Sequence, residues 1–328
     1  MVPGAETAVL VGKHLDRWRA SLSRRWMHRP ERLSCAKTMG WDMDGARKRA
    51  LLPRMMAALA MVMLTACGGG RPETAQDYNG GRLENPAPLK VSDYAAPGIP
   101  RPFGDTRPHE WSGLSPAHYR VHGIDAARYQ GRIDWHQVAA SGISFAWLKA
   151  TEGADFLDPG YAVNAEPARR AGVPLGAYHF YYFCRTPREQ AEWFIANVPR
   201  REGDLPPVLD MEWNHTSPTC RRRPDAATVR SYIQEFAAII TRHYGTSPVI
   251  YTTPDFYAHN DLGALAGYEF WLRAVSDHPS ERYPDERWTF WQYTGTGVVP
   301  GVNGRVDLNA FAGTPVEWGR WVGQRRQR

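Results

Sequence analysis

The run Pro206-Pro207-Val208-Leu209-Asp210-Met211-Glu212-Trp213 concentrates the residue types that could do chemistry. Val208 and Leu209 suit a buried strand, and the two acids follow at i and i+2. Alternate residues of a strand face one side, so both carboxylates point into the same space. A protonated carboxyl near an ionised one is what cleavage of a glycosidic bond requires. Other acids close other apolar runs: Asp125 after Val121-His122-Gly123-Ile124, Glu152 after Ile143 to Ala150, and Asp307 in the last run, Val306 to Asn309. Carboxylates that converge raise one another's pKa. Glu212, beside Asp210 and Trp213, is the candidate to keep a proton near neutral pH and act as a general acid.

These acids need a frame that brings them together. Apolar patterning predicts strands over 121–125, 143–150, 173–183, 207–212, 248–252, 270–275, 288–293 and 306–309. Helices are expected over 134–141, with Asp134 as N-cap, over 161–171 before Gly172, over 187–197, and over 225–244 before Gly245. Alternating strands and helices imply a parallel sheet, and eight strands imply a barrel with its functional residues at the C-terminal strand ends. Three strands share the segment 251–311, which leaves little room for full helices there. The expected fold class is therefore α/β: a distorted TIM-like (β/α) barrel with an incomplete helix ring, spanning 118–320 with a basic tail at 321–328. That is shorter than the about 250 residues of a complete barrel.

Several segments carry a resemblance. They are Gly123-Ile124-Asp125 with Gln130-Gly131, Lys149-Ala150-Thr151-Glu152-Gly153, Gly176-Ala177-Tyr178-His179-Phe180, Leu209-Asp210-Met211-Glu212, Tyr251-Thr252, Phe270-Trp271, and Trp291-Gln292-Tyr293 with Val306-Asp307-Leu308-Asn309. In order and at matching spacings over about 120–312, they resemble glycoside hydrolase family 25, the Chalaropsis-type lysozymes. The resemblance implies a distorted barrel that cleaves the β-1,4 bond from N-acetylmuramic acid to N-acetylglucosamine in peptidoglycan, with retention and with help from the substrate's own acetamido group. It implies Glu212 as general acid/base, Asp210 as the group steadying that acetamido, and Asp125 and Asp307 as acids lining the site. Ala127 stands where the family often has a small hydroxyl residue. Tyr178, Phe180, Tyr251, Trp271, Trp291 and Tyr293 are candidates to stack on sugar rings, although half of such strand residues must face the helix layer. His179 reads as a core histidine. Two rival readings stay open: a non-catalytic wall-binding module on the same barrel, and a glycosidase for another N-acetylated glycan.

Charge excludes one class. The net charge is +6, but residues 1–70 hold 12 of the 40 Lys/Arg and only 5 of the 34 Asp/Glu, so the remainder is close to neutral and nucleic acid is not an expected partner. No Cys/His cluster has metal-ligand spacing, and the chemistry requires no cofactor. Arg47-Lys48-Arg49 and Arg54 precede an apolar run, Met55 to Ala66, too short to span a bilayer. It ends at Cys67 before three glycines and resembles a lipoprotein signal peptide, which implies lipidation at Cys67 and membrane anchoring. Residues 1–42 then read as an extension ahead of the signal, 43–66 as the signal and 67–117 as a Pro/Gly-rich tether. Gly68, where an Asp would favour retention at the inner membrane, points to the periplasmic face of the outer membrane. In an exported domain Cys184 and Cys220 are expected to form a disulfide. Arg221-Arg222-Arg223 reads as a solvated loop, with contact to an anionic wall polymer as the sharper alternative.

Overall fold

The structure, a computed structural model, describes residues 98–327. Cys67 and the segment expected to be a signal peptide lie outside the described residues. Eight strands close a barrel: β2 (His122–Ala126), β3 (Phe145–Glu152), β5 (Leu175–Phe180), β6 (Val208–Met211), β7 (Val249–Thr252), β8 (Phe270–Arg273), β9 (Trp288–Val298) and β10 (Val306–Phe311). Two short strands, β1 (Gly104–Asp105) and β4 (Phe156–Leu157), pair outside the ring with β9 and β3. Strands β2 to β9 run parallel in the barrel, and β10 is antiparallel to both β9 and β2. This departs from the all-parallel expectation. Only the short segment 299–305 joins β9 to β10, and so tight a return forces antiparallel pairing.

The helices are α1 (Trp135–Ala140), α2 (Pro159–Arg170), α3 (Pro187–Asn197), α4 (Ala226–Tyr244), α5 (Pro254–Asn260), α6 (Pro279–Arg282) and α7 (Pro315–Arg325). The longest, α4, follows directly from its sequence. Val229, Ile233, Phe236, Ala237, Ile240 and Tyr244 recur at helical spacing and are all buried. Asp225 caps its start by accepting from Thr228 N–H, and Gly245 ends it at φ 72°.

Parity along the strands separates two cores. Ile124, Leu148, Ala177, Leu209, Ile250 and Leu272 face the helices. Val121, Phe145, Trp147, Val208, Trp271 and Phe290 fill the barrel. The large rings fit because glycines face them: a Cβ at Gly123 would lie 2.3 Å from the Phe145 ring, and one at Gly176 would lie 2.2 Å from Trp147 Nε1. One end of this inner core meets α7, where Trp318 and Trp321 stack at 5.5 Å and Trp321 lies 5.0 Å from Phe290. Glu269 holds the helix by accepting from Trp321 Nε1 at 2.7 Å and pairing with Arg325 at 2.6 Å. The folded unit thus runs through the expected boundary at 320. It also begins before 118: β1 pairs with β9, and Trp111 packs edge-on against Trp291 at 5.1 Å.

Candidate active site

The C-terminal ends of the parallel strands open into a cavity of about 610 Å³. Asp125, Asp210, Glu212 and Asp307 all line it. Asp210 is the third residue of β6, and Glu212 follows the strand on the same face. Asp307 arrives by the reversal of β10. As the second residue of an antiparallel strand it pairs directly with Asp125 near the end of β2. The four acids meet because seven strands end, and one begins, at this mouth.

Each acid has its own environment. Burial lifts Asp125 to about 6, and hydrogen bonds from Asn309, Gln292 and Asp307 oppose the rise. Its Oδ1 accepts from Asn309 Nδ2 at 2.8 Å and from Gln292 Nε2 at 3.1 Å. Both amides are oriented from behind. Trp271 Nε1 donates to Asn309 Oδ1 at 2.8 Å, and Tyr251 O–H donates to Gln292 Oε1 at 2.9 Å. An indole N–H can only donate, so the Asn309 amide must turn its NH₂ to Asp125. Asp307 lies well above the usual carboxylate range through burial, then the Asp125 charge. Both carboxyls of this pair are pushed upward, so together they hold one proton more readily than two separate acids would.

Asp210 is also held well above the usual range, by burial first and the Glu212 charge second. Its Oδ1 is buried without a hydrogen-bond donor among the described residues. A buried carboxylate oxygen left unpaired costs about 1–3 kcal/mol or more unless an N–H reaches it. Burial raises Glu212 to about 6; Arg273 and Lys149 pull against the rise, and Asp255 and Asp125 add to it. Glu212 therefore carries a proton in mildly acidic conditions and can surrender it near neutrality, as a general acid/base must.

Of the six aromatic candidates, Tyr178, Phe180, Tyr251 and Trp271 line the cavity. Burial, then the charges of Asp125, Asp210 and Asp307, keep the Tyr178 hydroxyl protonated as a donor among the acids. Trp291 and Tyr293 face away. Gln292 between them points inward, so parity sends Trp291 into a cluster with Trp111, Tyr119 and His278, and sends Tyr293 against His122 at 5.6 Å. His179 also faces the helices, stacked on Phe236 at 5.2 Å and bonded to Thr151 and Gln190. Burial lowers it to about 4, so it stays neutral. Ala127 lines the cavity, and its backbone N–H is satisfied by Gln130 Oε1 at 2.9 Å.

Residues not singled out from sequence complete the wall. Lys149 pairs with Glu152 and lies 4.6 Å over the Phe180 ring, and Arg273 and Gln292 enter from β8 and β9. Arg273 follows Trp271 by two residues and Asn309 follows Asp307 by two, so inward parity was the available signal. Cys184 and Cys220 are joined, with Cα atoms 5.7 Å apart.

Comparison with known proteins agrees with this geometry. The family described as "Glycosyl hydrolases family 25" matches residues 124–302. The chain is 37% identical over 210 residues to YegX of Escherichia coli K12, covering 62% of this chain and 73% of that protein. It is 36% identical over 203 residues to lysozyme M1 of Streptomyces globisporus, covering 59% and 68%. A family 25 glycosyl hydrolase structure from Bacillus anthracis superposes with a TM-score of 0.59 at 32% identity, covering 66% of this chain and 98% of that one. With four acids lining one barrel mouth and a family match across most of the barrel, the chain belongs to glycoside hydrolase family 25.

Proposed function

We propose that this chain is a muramidase that cleaves the β-1,4 bond between N-acetylmuramic acid and N-acetylglucosamine in peptidoglycan with retention of configuration. The observation that carries the reading is Asp210 Oδ1, buried at the mouth beside Glu212 without a donor of its own. An acetamido N–H of a bound sugar is a donor of the right kind. Accepting it, Asp210 steadies the acetamido group while its carbonyl oxygen attacks the anomeric carbon and the glycosidic bond breaks. Glu212 gives its proton to the leaving oxygen. It then takes one from the water that opens the cyclic oxazolinium, which restores both groups. Asp125 and Asp307 share a proton and lend negative charge opposite the developing oxocarbenium ion. Tyr178, Phe180, Tyr251 and Trp271 supply the apolar and hydroxyl contacts to the sugar rings. The name lysozyme M1, carried by a relative 36% identical, supports the substrate.

The test is digestion of purified peptidoglycan followed by mass spectrometry of the fragments. New reducing N-acetylmuramic acid ends are expected, together with their absence for Glu212→Gln. Cleavage of chitin in preference to peptidoglycan would assign a different glycan. NMR of the first-formed anomer reads the stereochemistry, and an inverted product would remove the acetamido role. The Met55–Ala66 run ending at Cys67 supports export and lipid anchoring at the periplasmic face of the outer membrane. Labelled palmitate should enter the wild-type chain and not Cys67→Ser, and equal labelling of the two would overturn that reading.

A further inference from the structure

A second cavity, of about 250 Å³, adjoins the acid-lined mouth. Tyr182, Trp213, Asn214 and His215 line both. Its far wall is Cys220-Arg221-Arg222-Arg223, and no Asp or Glu lines it. The Cys184–Cys220 bridge ties this arginine loop to the segment that follows β5.

The arginines are held but not neutralised. Arg223 Nη2 lies 2.7 Å from His215 Nδ1, and its guanidinium sits 5.0 Å over the Trp213 ring. Arg221 Nε donates to Ser217 O at 3.3 Å. Among the described residues none of the three forms an ion pair. The floor holds a second observation. Tyr181 is 1% exposed, and its hydroxyl has no hydrogen-bond partner among the described residues. An unpaired buried O–H beside guanidinium groups is a vacant donor set for an oxyanion.

We propose that this cavity binds a carboxylate of the peptide stem that a peptidoglycan strand carries beside the bond to be cleaved. The inference rests on the muramidase reading above. The shared wall points to the anion, because the two cavities adjoin at Tyr182 and His215 and one molecule can reach into both. A stem attached to the muramic acid ring meets that condition. The need for cations here is electrostatic. The negative charge that remains on the acids at the mouth repels an anionic stem, and guanidinium groups offset that repulsion while donating to a carboxylate in two-point geometry.

The test compares the full chain with Arg222→Ala and Tyr181→Phe on intact peptidoglycan and on strands freed of stems by an amidase, both cleared of phosphate polymers. For Arg222→Ala the ratio of kcat/KM on intact to stem-free strands should fall about tenfold, carried by KM. Tyr181→Phe should lower the same ratio a few-fold without lowering Tm. An unchanged ratio overturns the site. So does an effect of Arg222→Ala that appears only when phosphate polymer is added back to the stem-free strands. If the wild-type chain cleaves none of these substrates, the muramidase reading fails separately, and calorimetry with the free acidic stem peptide decides. Binding lost in Arg222→Ala supports the site, and no binding by the wild type overturns it.

Discussion

Replacing Glu212 by Gln should abolish cleavage and stabilise the protein, and the stabilisation should depend on pH. Glu212 titrates at about 6 in the folded chain against 4.5 for the free side chain, chiefly because it is buried. One pKa unit is about 1.4 kcal/mol, so ionised Glu212 costs the fold about 2 kcal/mol before solvent at the cavity mouth screens it, and about 1–2 kcal/mol after. The sign follows from linkage. A carboxyl whose folded pKa lies above its unfolded one favours the fold when protonated. Its contribution is complete below about pH 4.5 and is lost as pH rises through about 6. Gln keeps the shape and has no charge to lose. The Tm of Glu212→Gln should therefore match the wild type at pH 4 and exceed it by about 4 °C at pH 8, since 1 kcal/mol moves Tm by about 2–4 °C in a domain of this size. Calorimetry at the two pH values measures it, and kcat on peptidoglycan, expected to fall at least about 100-fold, is measured alongside. An equal shift at both pH values, or a loss of stability at pH 8, would refute the claim that burial of this charge sets its pKa.

Other outcomes follow from particular contacts. Trp321→Ala should cost about 3–5 kcal/mol in urea unfolding, because Trp321 closes the inner core against Phe290 and Trp318. Gln292→Leu removes a donor from Asp125 and leaves the Tyr251 hydroxyl unpaired, so it should destabilise by about 1–3 kcal/mol and slow turnover; unchanged kcat would deny Gln292 a part in setting the state of Asp125. Converting Cys184 and Cys220 together to Ala opens a loop of 36 residues and should cost about 3–4 kcal/mol by chemical denaturation.

Much of the site was legible because it obeys the period of two. Asp210 and Glu212 had to share a face, and so did Tyr178 and Phe180. Asp134 announced a helix start by residue type, and the structure has its side chain accepting backbone N–H groups. The helix α7 escaped because Gly319, Gly323 and a run of Arg give it the composition of a tail. Its stabilisation comes from two tryptophans docked on the barrel, a contact that local propensity does not contain.

The sequence by itself determined which residues are strand neighbours, that two carboxylates end β6 together, and that enough β and α segments alternate to close a barrel. Tertiary structure decided which face looks inward and which strand runs backwards. In β9 both faces are buried, one in the barrel and one beneath the segment before β2, so hydrophobicity does not distinguish Trp291 from Gln292. Only closure of the ring places Gln292 against Asp125. Asp307 likewise lies near the start of its strand, where a parallel barrel would leave it below the mouth. The short return from β9 turns β10 over and brings it beside Asp125, because direction along a strand is set by the connection and not by the residues within it.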